Sequence, residues 1–149
     1  MIYVSHSVED TRLLGREQAL ELTRSYEGSP IVIALEGELG AGKTTFVQAF
    51  AAGLGVADRV KSPTFVLMKD YELESTPGYH HLYHLDCYRL NGPSDLYVLG
   101  ASELLTQFGS IVLVEWAERV AGILPRGHLV VHIDHIAEHI RNIHIYKKE

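Results

Sequence analysis

The chain has 149 residues, 46% of them hydrophobic and 21% charged. This is most simply the length of one domain, and the composition of a packed core rather than a disordered chain. A formal net charge of −6 argues against a broad surface for nucleic-acid phosphates, which takes clustered Lys and Arg, so any RNA is expected to be held mainly by a partner. No stretch approaches the roughly 20 apolar residues of a membrane span, Met1-Ile2-Tyr3-Val4 is not expected to open a signal peptide, and the single Cys87 excludes an intrachain disulfide or a thiolate-built metal site; a reducing, cytoplasmic location fits.

The first expected element is a helix. On a 3.6-residue wheel Val8, Thr11, Leu14, Gly15, Ala19, Leu22 and Tyr26 share one side, and Ser7 stands where an N-cap belongs. Gly28-Ser29-Pro30 ends it. Ile31 to Leu35 is an unbroken apolar run with β-branched residues, as expected for a strand buried on both faces. A glycine-rich turn follows, then a helix from Lys43 to Leu54 closed by Gly53 and Gly55. Ser62-Pro63 opens a strand, Thr64 to Tyr71, and Thr76-Pro77-Gly78 turns it into a return strand, Tyr79 to Asp86. After Asn91-Gly92-Pro93, Ser94 to Phe108 reads as one helix broken near Gly100. Ile111 to Val114 is a second buried strand, closed by Glu115-Trp116. Leu129 to Asp134 and Asn142 to Lys147 read as a final pair. The order predicts an α/β fold with a mixed parallel and antiparallel sheet flanked by helices.

Gly37-Glu38-Leu39-Gly40-Ala41-Gly42-Lys43-Thr44 satisfies G-x-x-x-x-G-K-[ST]. It follows a buried strand and opens a helix, the context in which this phosphate-binding loop works. Glycines let successive N–H groups turn inward, and the positive end of the helix adds to them. Lys43 would reach the β- and γ-phosphates, the Thr44 hydroxyl would ligate magnesium, and Thr45 would add a donor to the α-phosphate. Such a site also needs carboxylates. Asp86 closes Leu82-Tyr83-His84-Leu85 and Glu115 closes Ile111-Val112-Leu113-Val114. Each is an apolar strand ending in an acid, suited to hold magnesium or orient water.

Gly37 to Phe46, then Ser62-Pro63-Thr64-Phe65, then His84-Leu85-Asp86-Cys87-Tyr88-Arg89-Leu90, then Val114-Glu115-Trp116-Ala117-Glu118 together resemble the TsaE (YjeE) family. Those four segments have the family's order and spacing, and the likeness runs from the helix of Thr11 to Arg141. It implies a small α/β fold that binds ATP and magnesium, hydrolyses ATP weakly alone, and works with TsaD and TsaB, the pair that transfers a threonylcarbamoyl group to tRNA. On this resemblance tRNA is met only through that complex. Carried over by motif, Gly40 to Thr45 contact phosphates, Thr44 and Glu115 lie near magnesium, and Asp86 shares the site. Thr11 borders the nucleotide, with Arg141 near it from the C-terminal side. The chain departs from the family pattern at Cys87, where Leu is frequent, at Ala117, where Pro is frequent, and at Val98-Leu99-Gly100, where Glu-Leu-Gly is common; Glu103 lies close by. None of these touches the nucleotide chemistry.

Other features are given plainer readings. His80, His81 and His84, and His128, His132, His135 and His139, read as surface or hairpin histidines rather than zinc ligands, because Leu129 to Ile133 is a strand. Trp116 reads as packing ahead of a partner contact. Arg89 reads equally well as a phosphate or partner contact and as a surface ion pair. A small-molecule kinase is the rival function, weakened by the lack of an arginine-rich lid segment. A GTPase-like switch lacks Asn-Lys-x-Asp. An adaptor that binds nucleotide without hydrolysis stays open.

Overall fold

A computed structural model describes residues 1–38, 40–56, 68–98 and 100–149. In chain order the strands and helices are β1 (Ile2–Ser5), α1 (Val8–Tyr26), β2 (Ile31–Glu36), α2 (Lys43–Gly53), β3 (Met68–Glu72), β4 (His81–Asp86), α3 (Pro93–Val98), β5 (Ser110–Glu115), β6 (Leu129–Ala137) and β7 (Ile140–Lys147). Two 3-10 turns, Ala101–Thr106 and Ala117–Ile123, lie either side of β5. The strands form one seven-stranded sheet in the order β1-β7-β6-β2-β5-β4-β3. Its centre, β4-β5-β2-β6, is parallel, while β3 on one side and the β6–β7 pair on the other are antiparallel. The mixed sheet is the one expected from the sequence.

Side chains alternate across the strands, so the sheet separates two cores. Ile31, Ile33, Leu35, Leu82, Ile111 and Leu113 face α1 and α2 and meet Phe46 and Phe50. Val32, Ala34, Leu85, Val112 and Val114 face α3 and the 3-10 turns, and meet Leu96, Leu105 and Val120. Both faces of β2 and β5 are thus covered, which is why their sequences are continuous apolar runs rather than alternating ones. Each fully buried Phe or Leu contributes about 1.5–3 kcal/mol, and here that term holds α2 flat against the sheet. Cys87 is buried on the second face, and burial pushes its thiol up to about 12, so it is not a ready nucleophile at neutral pH.

The α1 boundaries follow the sequence closely. Ser7 adopts extended backbone and its side chain accepts from Asp10 N, as an N-cap should. Thr11, Leu14, Gly15 and Ala19 are buried as expected. Val8 is not: it is 55% exposed, because the first turn overhangs the cleft described below. Gln18, not expected inside, is buried. Two glycines set how closely α1 approaches α2. A Cβ on Gly15 would stand 2.9 Å from Ala49 Cβ and 3.0 Å from Phe46 O, and one on Gly53 would stand 3.0 Å from the Arg16 backbone.

The remaining differences lie at the edges. β1 was not evident in the sequence, because four residues at a sheet edge give too short a pattern; it pairs with β7. β3 begins at Met68, and the expected strand residues 64–67, with Ser62-Pro63, lie outside the described residues. The return strand begins at His81 rather than Tyr79. Tyr79 is instead buried in the preceding turn, its hydroxyl donating to Ser29 O at 2.8 Å. The broken helix is α3 and a 3-10 turn joined at Gly100, which sits at φ 72°.

Among the described residues no helix is long and apolar enough to cross a membrane. The α1–α2 approach generates a prediction. Gly15→Val is expected to lower the unfolding free energy by about 2–3 kcal/mol, through crowding against backbone that cannot move aside. A urea titration should show the midpoint fall with unchanged slope, whereas Arg12→Ala on the exposed side should stay within about 0.5 kcal/mol.

Candidate functional site

The site forms where β2 ends and the chain turns back into α2. Gly37, Gly40 and Gly42 have φ of 142°, 81° and 113°, a region open to glycine and strained for other residues. At Gly37 space matters as well, since a Cβ would stand 2.4 Å from Ile133 O on β6. At Gly40 and Gly42 a Cβ would meet nothing within 4 Å, so the backbone there faces open space that a ligand can approach. Ala41 N donates to Glu38 O at 3.0 Å, and Phe46 N to Gly42 O at 3.0 Å, closing the turn onto the helix. The N-cap Gly42 brings no side-chain cap to α2. The first N–H groups of that helix, and its positive end, therefore suit an anion.

Lys43 begins α2 and is only 5% exposed. Its Nζ donates to Gly37 O at 2.5 Å and lies 4.0 Å from the ring centre of Trp116, an aromatic face that attracts a cation. Thr44 and Thr45 follow on the same first turn, both half-buried.

On the outer side, Thr11, Gly40, Ala41, Gly42, Thr45 and Arg141 line one cleft of about 120 Å³. These six come from α1, the loop with α2, and β7, so the fold gathers residues 130 positions apart. The guanidinium of Arg141 is held by carbonyls: Nε donates to Ala41 O at 3.0 Å and Nη1 to Ala137 O at 2.9 Å. Arg141 thus ties the loop to the β6–β7 hairpin. The Thr11 hydroxyl is 2.8 Å from Ser5 Oγ, which itself donates to Ser7 O. This anchors the first turn of α1 to β1. Gly37, Lys43 and Thr44, and the acids Asp86 and Glu115, are not part of that cleft's lining.

The two acids stand side by side. Asp86 and Glu115 are register partners at the ends of β4 and β5, and β5 neighbours the strand that leads into the loop. Cys87 N donates to Glu115 O at 3.0 Å, so the ladder continues past the acids. Their surroundings differ. Asp86 is half-buried and accepts from Tyr88 N at 3.0 Å. Glu115 is 4% exposed, and its Oε2 lies 2.6 Å from Nε2 of the fully buried His84. The sequence alone suggests an ordinary surface or hairpin histidine here, and His84 is instead fully buried. Strand periodicity held the signal, because His84 and Asp86 are two apart on β4 and so share a face.

Trp116 follows at φ 57° and ψ 42°, a left-handed conformation that costs a non-glycine residue about 1–3 kcal/mol. That turn swings the indole over Lys43 and against Tyr88, with ring centres 4.9 Å apart. The packing expected of it is therefore found: partly buried, Trp116 packs against the second core face as well as on the loop lysine.

A mixed sheet with parallel central strands, one of which feeds a glycine turn and a helix N-terminus, with acids at the ends of the next two strands, defines a P-loop-type nucleotide-binding fold. Sequence comparison places it more narrowly. A family model described as threonylcarbamoyl adenosine biosynthesis protein TsaE matches residues 5–143, and the chain belongs to that family. Among relatives named tRNA threonylcarbamoyladenosine biosynthesis protein TsaE, that of Treponema pallidum is 39% identical over 94% of this chain and 96% of its own. Those of Haemophilus influenzae and Bacillus subtilis are 36% and 38% identical, over 88% and 91% of this chain and 79% and 78% of their own. The crystal structure of Bacillus subtilis YdiB superposes with a TM-score of 0.68 at 30% identity, covering 99% of this chain and 84% of that one.

The last residue of β2 has a partner of its own. Glu36 Oε2 lies 3.2 Å from Nδ1 of His132 on β6, whose Nε2 lies 2.9 Å from Asp134 Oδ1. Burial lowers the imidazole pKa, but the hydrogen bonds and charges of Glu36 and Asp134 outweigh it, so the net shift is upward from 6.5. A raised folded value means the stabilisation is complete below the unfolded pKa and is lost as pH rises through the folded one. An NMR titration should place the His132 midpoint above 6.5, and Glu36→Gln should move it down; an unmoved midpoint would remove Glu36 as the cause.

Proposed function

We propose that the chain is one ATP-binding domain working in the cytoplasm. It binds ATP with magnesium at residues 37–44 and hydrolyses it slowly, in the service of tRNA threonylcarbamoyladenosine modification. The observation that carries this reading is the junction of β2 and α2. Three glycines at positive φ meet a helix end without a side-chain cap, beside a buried lysine at the sheet end that also holds a buried glutamate.

The residues present fit both groups. Magnesium takes oxygen ligands, and Thr44, Asp86 and Glu115 offer a hydroxyl and two carboxylates. Bound with ATP, the ion would neutralise charge on the phosphate oxygens. The amides of Gly40 to Thr45 would hold the phosphates, with Gly37 allowing the turn. Lys43 would give its proton-rich end to the β- and γ-phosphates. A charged phosphate oxygen is a stronger acceptor than the Gly37 carbonyl or the indole face that now hold it. Thr11 and Arg141 would border the nucleoside side, Arg141 also steadying the loop through Ala41 O. Asp86 or Glu115 would orient the attacking water. Catalysis of this kind comes from positioning and charge stabilisation.

The pathway is supported by the family and by the names of the relatives. TsaD and TsaB are the partners this reading assigns, with tRNA reached only through them, which suits a net charge of −6. Hydrolysis would support repeated turnover of that pair rather than carry out the transfer.

Calorimetry with magnesium-ATP should show binding to the wild type and its loss in Lys43→Ala; unchanged affinity in that variant would sink the site. Glu115→Gln should keep binding while turnover falls about 100-fold. Adding TsaD and TsaB should accelerate hydrolysis by the wild type.

A further inference from the structure

Glu115 and His84 form an unusual pair for a sheet interior. Both are buried, the histidine completely, and they come from adjacent parallel strands. A carboxylate so placed is costly unless something donates to it. An ionised carboxylate only accepts, so the 2.6 Å contact makes His84 Nε2 the donor. The other ring nitrogen, Nδ1, is buried and has no hydrogen-bond partner among the described residues. That favours the same tautomer, since a buried lone pair without a partner costs less than a buried N–H without one. The ring is therefore committed: one nitrogen grips Glu115 and the other meets no partner among the described residues.

We propose that His84 is a positioning residue for Glu115. Its Nε2–H fixes Oε2 and so sets the direction of Oε1, the oxygen left to meet the reacting water or the shell of the magnesium. The pair stands at the sheet end where β2 leads into the loop, and Leu35, Glu115 and Asp86 follow one another across the register. Backbone alone leaves a glutamate side chain several rotamers. A rigid imidazole donor, held in the core of the neighbouring strand, favours those that keep Oε2 on it. Groups that orient a site residue in this way typically change its performance by about 10–100-fold when removed. This inference rests on the reading of Glu115 given above.

The experiment uses the full chain with magnesium-ATP. Phe is close to His in shape and has no donor; Gln places an amide N–H near the position of Nε2. His84→Phe is expected to lower kcat about 10–100-fold with the calorimetric affinity for magnesium-ATP within about twofold, and His84→Gln to recover a large part of the loss. In a Glu115→Gln background His84→Phe should slow turnover no further. A fall in thermal stability with kcat retained would reduce the pair to a structural one and overturn the proposal. So would equal losses of kcat and affinity. If Glu115→Gln itself turns over normally, the earlier reading of Glu115 fails. If only Glu115→Gln is slow and His84→Phe is not, the positioning role alone fails. Nitrogen-15 imidazole spectra of the wild type need no variant: His84 should carry its proton on Nε2, and a proton found on Nδ1 instead would refute the assignment.

Discussion

A backbone oxygen, that of Ile133, stands 2.4 Å from where residue 37 would carry a side chain. This contact fixes the rest. β6 packs beside β2 in parallel register, and only a residue without a Cβ lets the chain leave β2 at that point and turn at φ 142°. The turn delivers Gly42 and α2 with the helix axis pointing its positive end into the opening. Phe46 and Phe50 then lock α2 against the first core face, and α1 closes over it at the Gly15 and Gly53 contacts. Local backbone freedom at one position thus depends on the surrounding sheet being rigid.

The sheet end carries an unfavourable load. Lys43 and Glu115 are charged and nearly inaccessible, and Trp116 holds a left-handed backbone. Each would be destabilising in isolation. They are compensated locally: Lys43 by a carbonyl and an indole face, Glu115 by an imidazole, and the Trp116 turn by its contact with Tyr88. The two apolar cores, which surround the central strands on both faces, supply the stability that lets this end of the sheet stay polar and strained.

How much of this was legible in the sequence varied with the range of the signal. β2, β5 and the loop were readable because burial on both faces and the need for glycine leave direct marks in residue type. The N-cap of α1 was readable for the same reason. β1 was not, since its identity lies in pairing with β7, more than a hundred residues away. Asp86 and Glu115 were readable as strand-end acids, but their different surroundings were not. What separates them is His84, which looked like one histidine among nine; pairing of β4 with β5 gives it meaning, and no local pattern encodes that pairing. The bracing of the loop by Arg141 likewise depends on where the β6–β7 hairpin folds back.

The chain has one tryptophan, and it is the residue whose ring lies 4.0 Å from the Lys43 ammonium. Indole emission is sensitive to a nearby charge, so that cation is one of the influences on its colour and brightness, beside the Tyr88 ring. No second indole dilutes the reading. The protein therefore carries a built-in optical reporter beside its phosphate-loop lysine, and an event that draws the ammonium from the ring is expected to change that emission without a dye or a label.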